Sequence, residues 1–255
     1  MRTPDELRRL VEDYLLGLEL SSDLGDLEDS MRYALGGGGK RIRPVLCLAT
    51  AEAIGCDPER ALPAAAALEL VHSFSLVHDD LPALDDDAER RGRPSTHIQW
   101  GEAIAILAGD ALLGEAVRLA LTYASPAVGR ELIEATQGMI GGQYLDITQS
   151  GDLEALHRLK TGRLFSAAIG LALELAELPE PKQKPWRAFA EQLGLLFQLV
   201  DDLLDRDGYV LVHGVEETRR LAGEAGVRAR SCLAEIDADT SVLAGIVESL
   251  AARTS

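Results

Sequence analysis

The chain has 255 residues, 47% of them hydrophobic, with 42 acidic against 25 basic side chains and a formal net charge of −17. An acid excess on this scale excludes the basic face that a nucleic-acid binder needs, but it leaves room for an anionic substrate held through metal ions. Three widely spaced cysteines without a CxxC (Cys47, Cys56, Cys232), acids throughout the first twenty residues and the absence of an 18-residue apolar run predict a cytoplasmic protein with reduced thiols, no signal peptide and no membrane span.

In chain order, Pro4–Leu20 reads as an amphipathic helix with Thr3 as its N-cap and Pro4 at its first position. A second helix is expected over Leu24–Leu35, followed by Gly36 to Gly39 running into Lys40, Arg41 and Arg43, and then the apolar run Val45–Ile54. Leu62–Asp80 is apolar on nearly every helical face, so it predicts a buried core helix. Gln99–Tyr123 and Glu131–Ile147 read as helices, the latter with Gly138, Gly141 and Gly142 where another backbone could approach closely. Asp152–Leu178 contains Lys160, Thr161 and Gly162; Pro179–Pro185 reads as an exposed connector. Trp186–Asp205, Thr218–Ile236 and Ser241–Ala252 complete the series. No strand-like alternation recurs, so residues 1–255 are expected to form one all-α domain of roughly ten or more helices. His97, His157 and His213 are read as surface residues, Trp100 and Trp186 as packing residues, and His78 as a neighbour that orients Asp79.

Two acid clusters stand at the ends of apolar helices. The first is Asp79 and Asp80 with Asp85, Asp86 and Asp87; the second is Asp201, Asp202 and Asp205. Carboxylates there are costly to desolvate unless they are paired or bound to metal, and like charges at i and i+4, as at Asp201 and Asp205, repel. One such motif alone fits a solvated helix end equally well; two together point to divalent cations. His72 and Asp79 lie seven residues apart on one helix face, about 10 Å along the axis. Arg90 and Arg91, with Lys40 and Arg43 after the glycine run, supply cations suited to phosphate.

GGKRIRP (38–44), HSFSLVHDDLPALDDDAERRG (72–92), GGQYLDI (141–147), KTGRLF (160–165) and FQLVDDLLD (197–205) resemble, in order, the motifs of the trans-isoprenyl diphosphate synthases, or polyprenyl synthetases. The resemblance implies an all-α fold with two Asp-rich motifs facing across a cavity, and head-to-tail condensation of isopentenyl diphosphate with an allylic diphosphate. It implies that Asp79, Asp80, Asp85, Asp201, Asp202 and Asp205 hold Mg²⁺, three ions per site. It further implies that Lys40, Arg43, His72 and Arg91 bind isopentenyl diphosphate, and that Arg90, Lys160, Thr161 and Gln198 face the allylic substrate. Gln143 and Asp146 fall in a family motif. A homodimer is implied as well.

The resemblance has one departure. Family members usually carry a long loop with glycine and lysine after the second motif; here RDGYVLVHGVEETRRLA follows directly, and no lysine occurs beyond Lys184. A class I terpene cyclase and a non-catalytic partner subunit are the alternatives, the first disfavoured by GGKRIRP and the arginine pair, the second by two complete acid motifs. Phe74, five residues before Asp79, together with two extra residues between Asp80 and Asp85, resembles the bacterial farnesyl diphosphate synthase pattern. It makes Phe74 the expected floor of the product cavity and C15 the expected product, with C10 and C20 as alternatives.

Overall fold

The computed structural model describes residues 1–254. Helix α1 (Pro4–Leu16) opens with a reciprocal cap: Thr3 Oγ1 accepts from the Glu6 backbone, and the Glu6 carboxylate accepts from the Thr3 N–H at 2.7 Å. It ends at Leu16, four residues before the expected end, with Gly17 as its C-cap. Helix α2 spans Leu27–Leu35, α3 Ile42–Ala53 and α4 Pro58–Asp79. Asp57 caps α4 with its side chain and Pro58 occupies the first position, so α4 starts four residues earlier than the apolar run alone indicates.

Helix α4 is the axis of the molecule. Ala64, Ala65, Ala66, Ala67, Leu68, Glu69, Leu70 and Val71 are consecutive and all buried. At 100° per residue such a run is buried on every side, and its four alanines let neighbouring helices come close. Among the described residues, α4 alone is long and apolar enough to cross a membrane by composition; 67% of that stretch is buried within the fold, as befits a core helix. It packs against α3, against α6 (Glu102–Ala120) and against α9 (Arg163–Leu175).

Between α4 and α6 the chain makes a two-residue ladder, β1 (Glu89–Arg90) antiparallel to β2 (Arg93–Pro94), and a short helix α5 (Thr96–Trp100). The predicted helix 99–123 is therefore broken, at Gly101, whose φ of +86° ends one helix and starts the next. His97, expected at the surface, is buried and lies 3.3 Å from Ser95 Oγ. Trp186 is buried, and Trp100 packs edge-on against Tyr33. His213 is exposed.

Helix α7 (Pro126–Thr148) leads to α8 (Leu153–His157), whose end widens into a π turn over Arg158–Gly162 before α9. The stretch 179–185 is a correction to the sequence reading. It is no connector but the first two turns of α10 (Glu180–Asp205). Pro181 is tolerated near the start of a helix, and buried Gln183 anchors the segment by donating to the Leu178 carbonyl at 2.8 Å. Helix α11 (Tyr209–His213), α12 (Val215–Ala234), α13 (Ser241–Ala251) and a 3₁₀ turn over Ala252–Thr254 close the described chain. Apolar side chains from Leu7 to Leu250 form one contiguous core.

Gly142 on α7 abuts the backbone of the π turn, so that a Cβ there would lie 2.5 Å from Lys160 Cα and closer still to its nitrogen. Gly138 meets the Arg163 side chain, and Gly141 faces open space. Backbone cannot yield as a flexible side chain can. Gly142→Ala is expected to destabilise the protein by about 1–3 kcal/mol, lowering the melting temperature by about 2–4 °C per kcal/mol, whereas Gly141→Ala should be neutral or stabilising. Equal melting temperatures for the two variants in calorimetry would contradict the close approach.

Candidate active site

A cavity of about 370 Å³ opens where the glycine-rich turn, α4, the π turn and α10 meet. Lys40, Arg43, His72, Arg91, Thr161 and Asp201, six of the residues singled out in the sequence, line it together. The turn that presents Lys40 is shaped by Gly38 and Gly39, at φ of +73° and +135°. The Arg91 guanidinium crosses this turn, donates to the Gly38 carbonyl and leaves no room for a Cβ on Gly39.

The cavity is strongly cationic. Burial lowers Arg43 to about 10, with Glu69 and Asp201 opposing the shift. Its guanidinium lies 4.9 Å from the centre of the Phe165 ring, and its buried Nε has no hydrogen-bond partner among the described residues. Lys40 is lowered by loss of water and then by Arg253. His72 falls well below its ordinary value through burial, then through Arg43, Arg91, Arg41 and Arg90, so it is neutral at pH 7. A neutral imidazole beside several guanidiniums can donate a hydrogen bond without adding to their repulsion.

The two acid motifs divide by member. Asp80 is buried and accepts from Arg90 Nε at 2.9 Å, and Arg90 also donates to Asp87 Oδ2 at 3.0 Å. Asp202 is buried with both oxygens taken: Gln198 donates to Oδ1 at 2.6 Å and the Tyr209 backbone N–H to Oδ2 at 2.8 Å. Gln198 in turn accepts from Thr161 Oγ1 at 2.6 Å, linking the second motif to the π turn. Among the described residues, Asp79 and Asp201 carry no such brace. Burial raises Asp79 to about 6 against the pull of Lys160, and Asp85 and Asp80 add to the rise. Asp201, open to the cavity, is raised by desolvation, then by Asp205, Asp202 and Asp207, with Arg43 opposing. Asp85 and Asp205 are exposed at the rims.

Lys160 Nζ lies 2.5 Å from Asp146 Oδ2, and the buried amide of Gln143 has no hydrogen-bond partner on either atom among the described residues. A π turn displaces the side chains that follow it, and here it carries Lys160 and Thr161 to the site. His78 does not orient Asp79: its Nε2 lies 3.0 Å from the Ile106 carbonyl, turned toward α6. Phe74, one turn earlier, packs edge-on against His78 with centroids 5.0 Å apart. His157, expected at the surface, is almost covered beneath Tyr209 and sits 3.7 Å from Asp202.

Residues of the cavity wall that sequence reasoning missed include Arg41, Glu69, Phe197 and Arg253. Glu69 carried a signal, as the one charge inside an apolar run. Arg253 carried none, because only tertiary packing of the 3₁₀ turn brings it beside Lys40. The segment after α10 is also resolved physically. Arg206 ends the helix in a left-handed conformation, Gly208 packs against the Asp202 carboxylate where a Cβ could not fit, and α11 covers it.

Among the described residues no three His, Cys, Asp or Glu side chains converge as a ready-made metal cage. Mg²⁺ does not require one, since it is commonly held by one or two carboxylates together with substrate phosphates and water. Asp79 and Asp201 fit that role: both carboxyls are raised by burial and by neighbouring carboxylates, and a divalent cation would relieve both.

Cations around a cavity flanked by two carboxylates without hydrogen-bonding braces define an all-helical enzyme for phosphorylated substrates. A family model described as Polyprenyl synthetase matches residues 25–214. The chain is 41% identical over 216 residues to a geranylgeranyl diphosphate synthase of Cyanophora paradoxa, covering 78% of this chain and 72% of that protein. It is 38% identical over 218 residues to a farnesyl diphosphate synthase of Bacillus subtilis, covering 79% and 74%. The crystal structure of a geranyltransferase from Legionella pneumophila superposes with a TM-score of 0.89 at 32% identity, over 98% of this chain and 96% of that one. The chain belongs to the polyprenyl synthetase family and is a prenyltransferase of the trans-prenyl diphosphate synthase type. The family works with divalent metal.

The raised carboxyl of Asp79 has a sign that can be measured. Its folded value, about 6, exceeds the ordinary 3.8, so its favourable contribution is complete below about pH 4 and is lost as pH rises through 6. In the absence of metal, Asp79→Asn should match wild-type stability near pH 4 and exceed it by about 1–2 kcal/mol at pH 8, discounting the full shift for partial solvent screening. Denaturant titrations at the two pH values check this; a variant less stable at both would show that the carboxylate is structurally compensated.

Proposed function

We propose that the chain catalyses Mg²⁺-dependent head-to-tail condensation of isopentenyl diphosphate with dimethylallyl and geranyl diphosphates, giving mainly farnesyl diphosphate. The observation that carries this reading is the cavity shared by Lys40, Arg43, His72, Arg91 and Asp201, with Asp79 at the end of α4 and Lys160 on the π turn acting on it. The first four receive isopentenyl diphosphate: three cations neutralise its charge, and neutral His72 donates an N–H to a phosphoryl oxygen. On the allylic side, Arg90 and Lys160 bind the second diphosphate, and the Thr161–Gln198 hydrogen bond fixes the wall beside it. Mg²⁺ ions, three per site, held by Asp79, Asp85, Asp201 and Asp205, would neutralise the departing diphosphate; Asp80 and Asp202 assist mainly by keeping the helix ends in register.

The Phe197 ring on the cavity wall keeps water from the allylic carbon as positive charge develops, and offers its face to that charge. After the carbon–carbon bond forms, the proton leaves to the released diphosphate. Exposed apolar side chains on neighbouring helices (Ile106 and Leu107 on α6, Ile140, Tyr144 and Ile147 on α7) support a homodimer joined through this face. The readings as terpene cyclase or non-catalytic subunit differ in outcome, cyclised hydrocarbon or no turnover.

Purified protein with Mg²⁺, labelled isopentenyl diphosphate and dimethylallyl diphosphate should yield linear prenyl diphosphates; a preparation of the chain alone that forms none would overturn the assignment. Lys40→Ala should raise KM for isopentenyl diphosphate by about tenfold to a hundredfold, the value of one charge-assisted bond, and the allylic KM much less. Equal effects on both substrates would contradict the division of the site.

Product length follows from Phe74. It is buried on α4 five residues before Asp79 and packs edge-on against His78, where it would floor a prenyl tail running down beside α4. Wild-type protein should make C15, and Phe74→Ala should shift product toward C20 and longer. Chromatography of the dephosphorylated alcohols reads the lengths directly, and an unchanged distribution would remove Phe74 as the floor.

A further inference from the structure

Arg41 and Glu69 stand apart from the rest of the cavity. Both are buried, and they face each other as an ion pair, Arg41 Nη1 to Glu69 Oε1 at 2.5 Å, across 28 residues of sequence. Arg41 Nη2 donates at 2.5 Å to the carbonyl of Leu35, the last residue of α2. The backbone of Arg41 is left-handed, φ 47° and ψ 36°, and it precedes the first residue of α3 without a side-chain cap. A non-glycine residue in that conformation persists only where its surroundings hold it. One guanidinium thus ties the end of α2, the start of α3 and the middle of α4, and closes the turn of four glycines between Leu35 and Arg41.

We propose that the Arg41–Glu69 pair is a positioning device that sets Lys40 and Arg43 toward the cavity. The inference rests on the reading of Lys40 and Arg43 as the isopentenyl diphosphate site. Lys40 precedes Arg41 and Arg43 follows it by two, so the direction of both is set by the left-handed turn. Four glycines in a row give that turn little stiffness of its own. Glu69 serves a second purpose: its charge lies among Arg41, Arg43 and Arg91, so three guanidiniums can remain together before the anionic substrate arrives. A pair serving stability alone would be replaceable by apolar residues of similar volume, since buried ion pairs contribute little net stability over such replacements.

That contrast supplies the test. Arg41→Met, Glu69→Gln and the double variant Arg41→Met/Glu69→Leu are compared with wild type for melting temperature, kcat and KM for each substrate, with Lys40→Ala in parallel. All three variants should raise KM for isopentenyl diphosphate, by about tenfold to a hundredfold for the two that lose the guanidinium, because displacing a binding group by an ångström is costly. The allylic KM and kcat at saturation should change much less. The double variant should regain the wild-type melting temperature while KM stays high. Should the single variants fail to fold, the double variant still gives this readout. A double variant that regains both melting temperature and KM would show a purely structural pair and overturn the inference. Unchanged KM in the Arg41 variants beside a raised KM in Lys40→Ala would overturn it while sparing the site. Unchanged KM in Lys40→Ala would overturn the site reading and this inference with it.

Discussion

The structure is organised around the placement of like charges at the ends of buried helices. The middle of helix α4 is buried all round and the helix ends in Asp79 and Asp80, while α10 buries one apolar face and ends in Asp201, Asp202 and Asp205. At each end one carboxylate, Asp80 or Asp202, is buried, while its neighbours face the cavity or the rim and repel one another. In each motif the fold settles one carboxylate internally: Asp80 with Arg90, Asp202 with Gln198 and the Tyr209 N–H. The other, Asp79 or Asp201, is left raised and unbraced. Such a charge is a cost in the empty protein and becomes an asset when divalent cations and diphosphate arrive together.

The same division explains the short segment after α10. In place of a long lysine-bearing loop, the chain turns at Arg206 and Gly208, and lays α11 over Asp202 and His157. The segment braces the second motif instead of reaching over the cavity. A cation does reach the cavity from further on, Arg253, on the turn that follows α13. Loss of water, and after it the nearness of Arg253, lowers Lys40, and an entering anion would relieve both effects.

Much of this was legible in the sequence. Apolar runs ending in acids located α4 and α10, because composition reports burial directly and the acids are contiguous with it. Gln198 and Asp202 are four residues apart, and helical period alone puts these two bonded side chains on one stripe. Three kinds of information were not legible. The helix break at Gly101 depends on a positive-φ backbone conformation that a single residue does not announce. Pro179–Pro185 looked like a connector, because proline composition does not say whether a stretch lies inside a helix start. The Arg41–Glu69 pair and Arg253 join residues distant in sequence, so only packing shows them. His97 and His157 were misplaced for the same reason: a lone histidine carries no mark of burial.

The central claim is that Asp79 and Asp201 are held raised by burial and by neighbouring carboxylates so that metal and diphosphate bind as a unit. Calorimetric titration of the protein with inorganic pyrophosphate at pH 8, with and without Mg²⁺, measures it most directly. Strong binding only when Mg²⁺ is present, abolished by Asp79→Asn together with Asp201→Asn, is the expected result. Pyrophosphate binding of equal strength without Mg²⁺, carried by the basic residues alone, would contradict it.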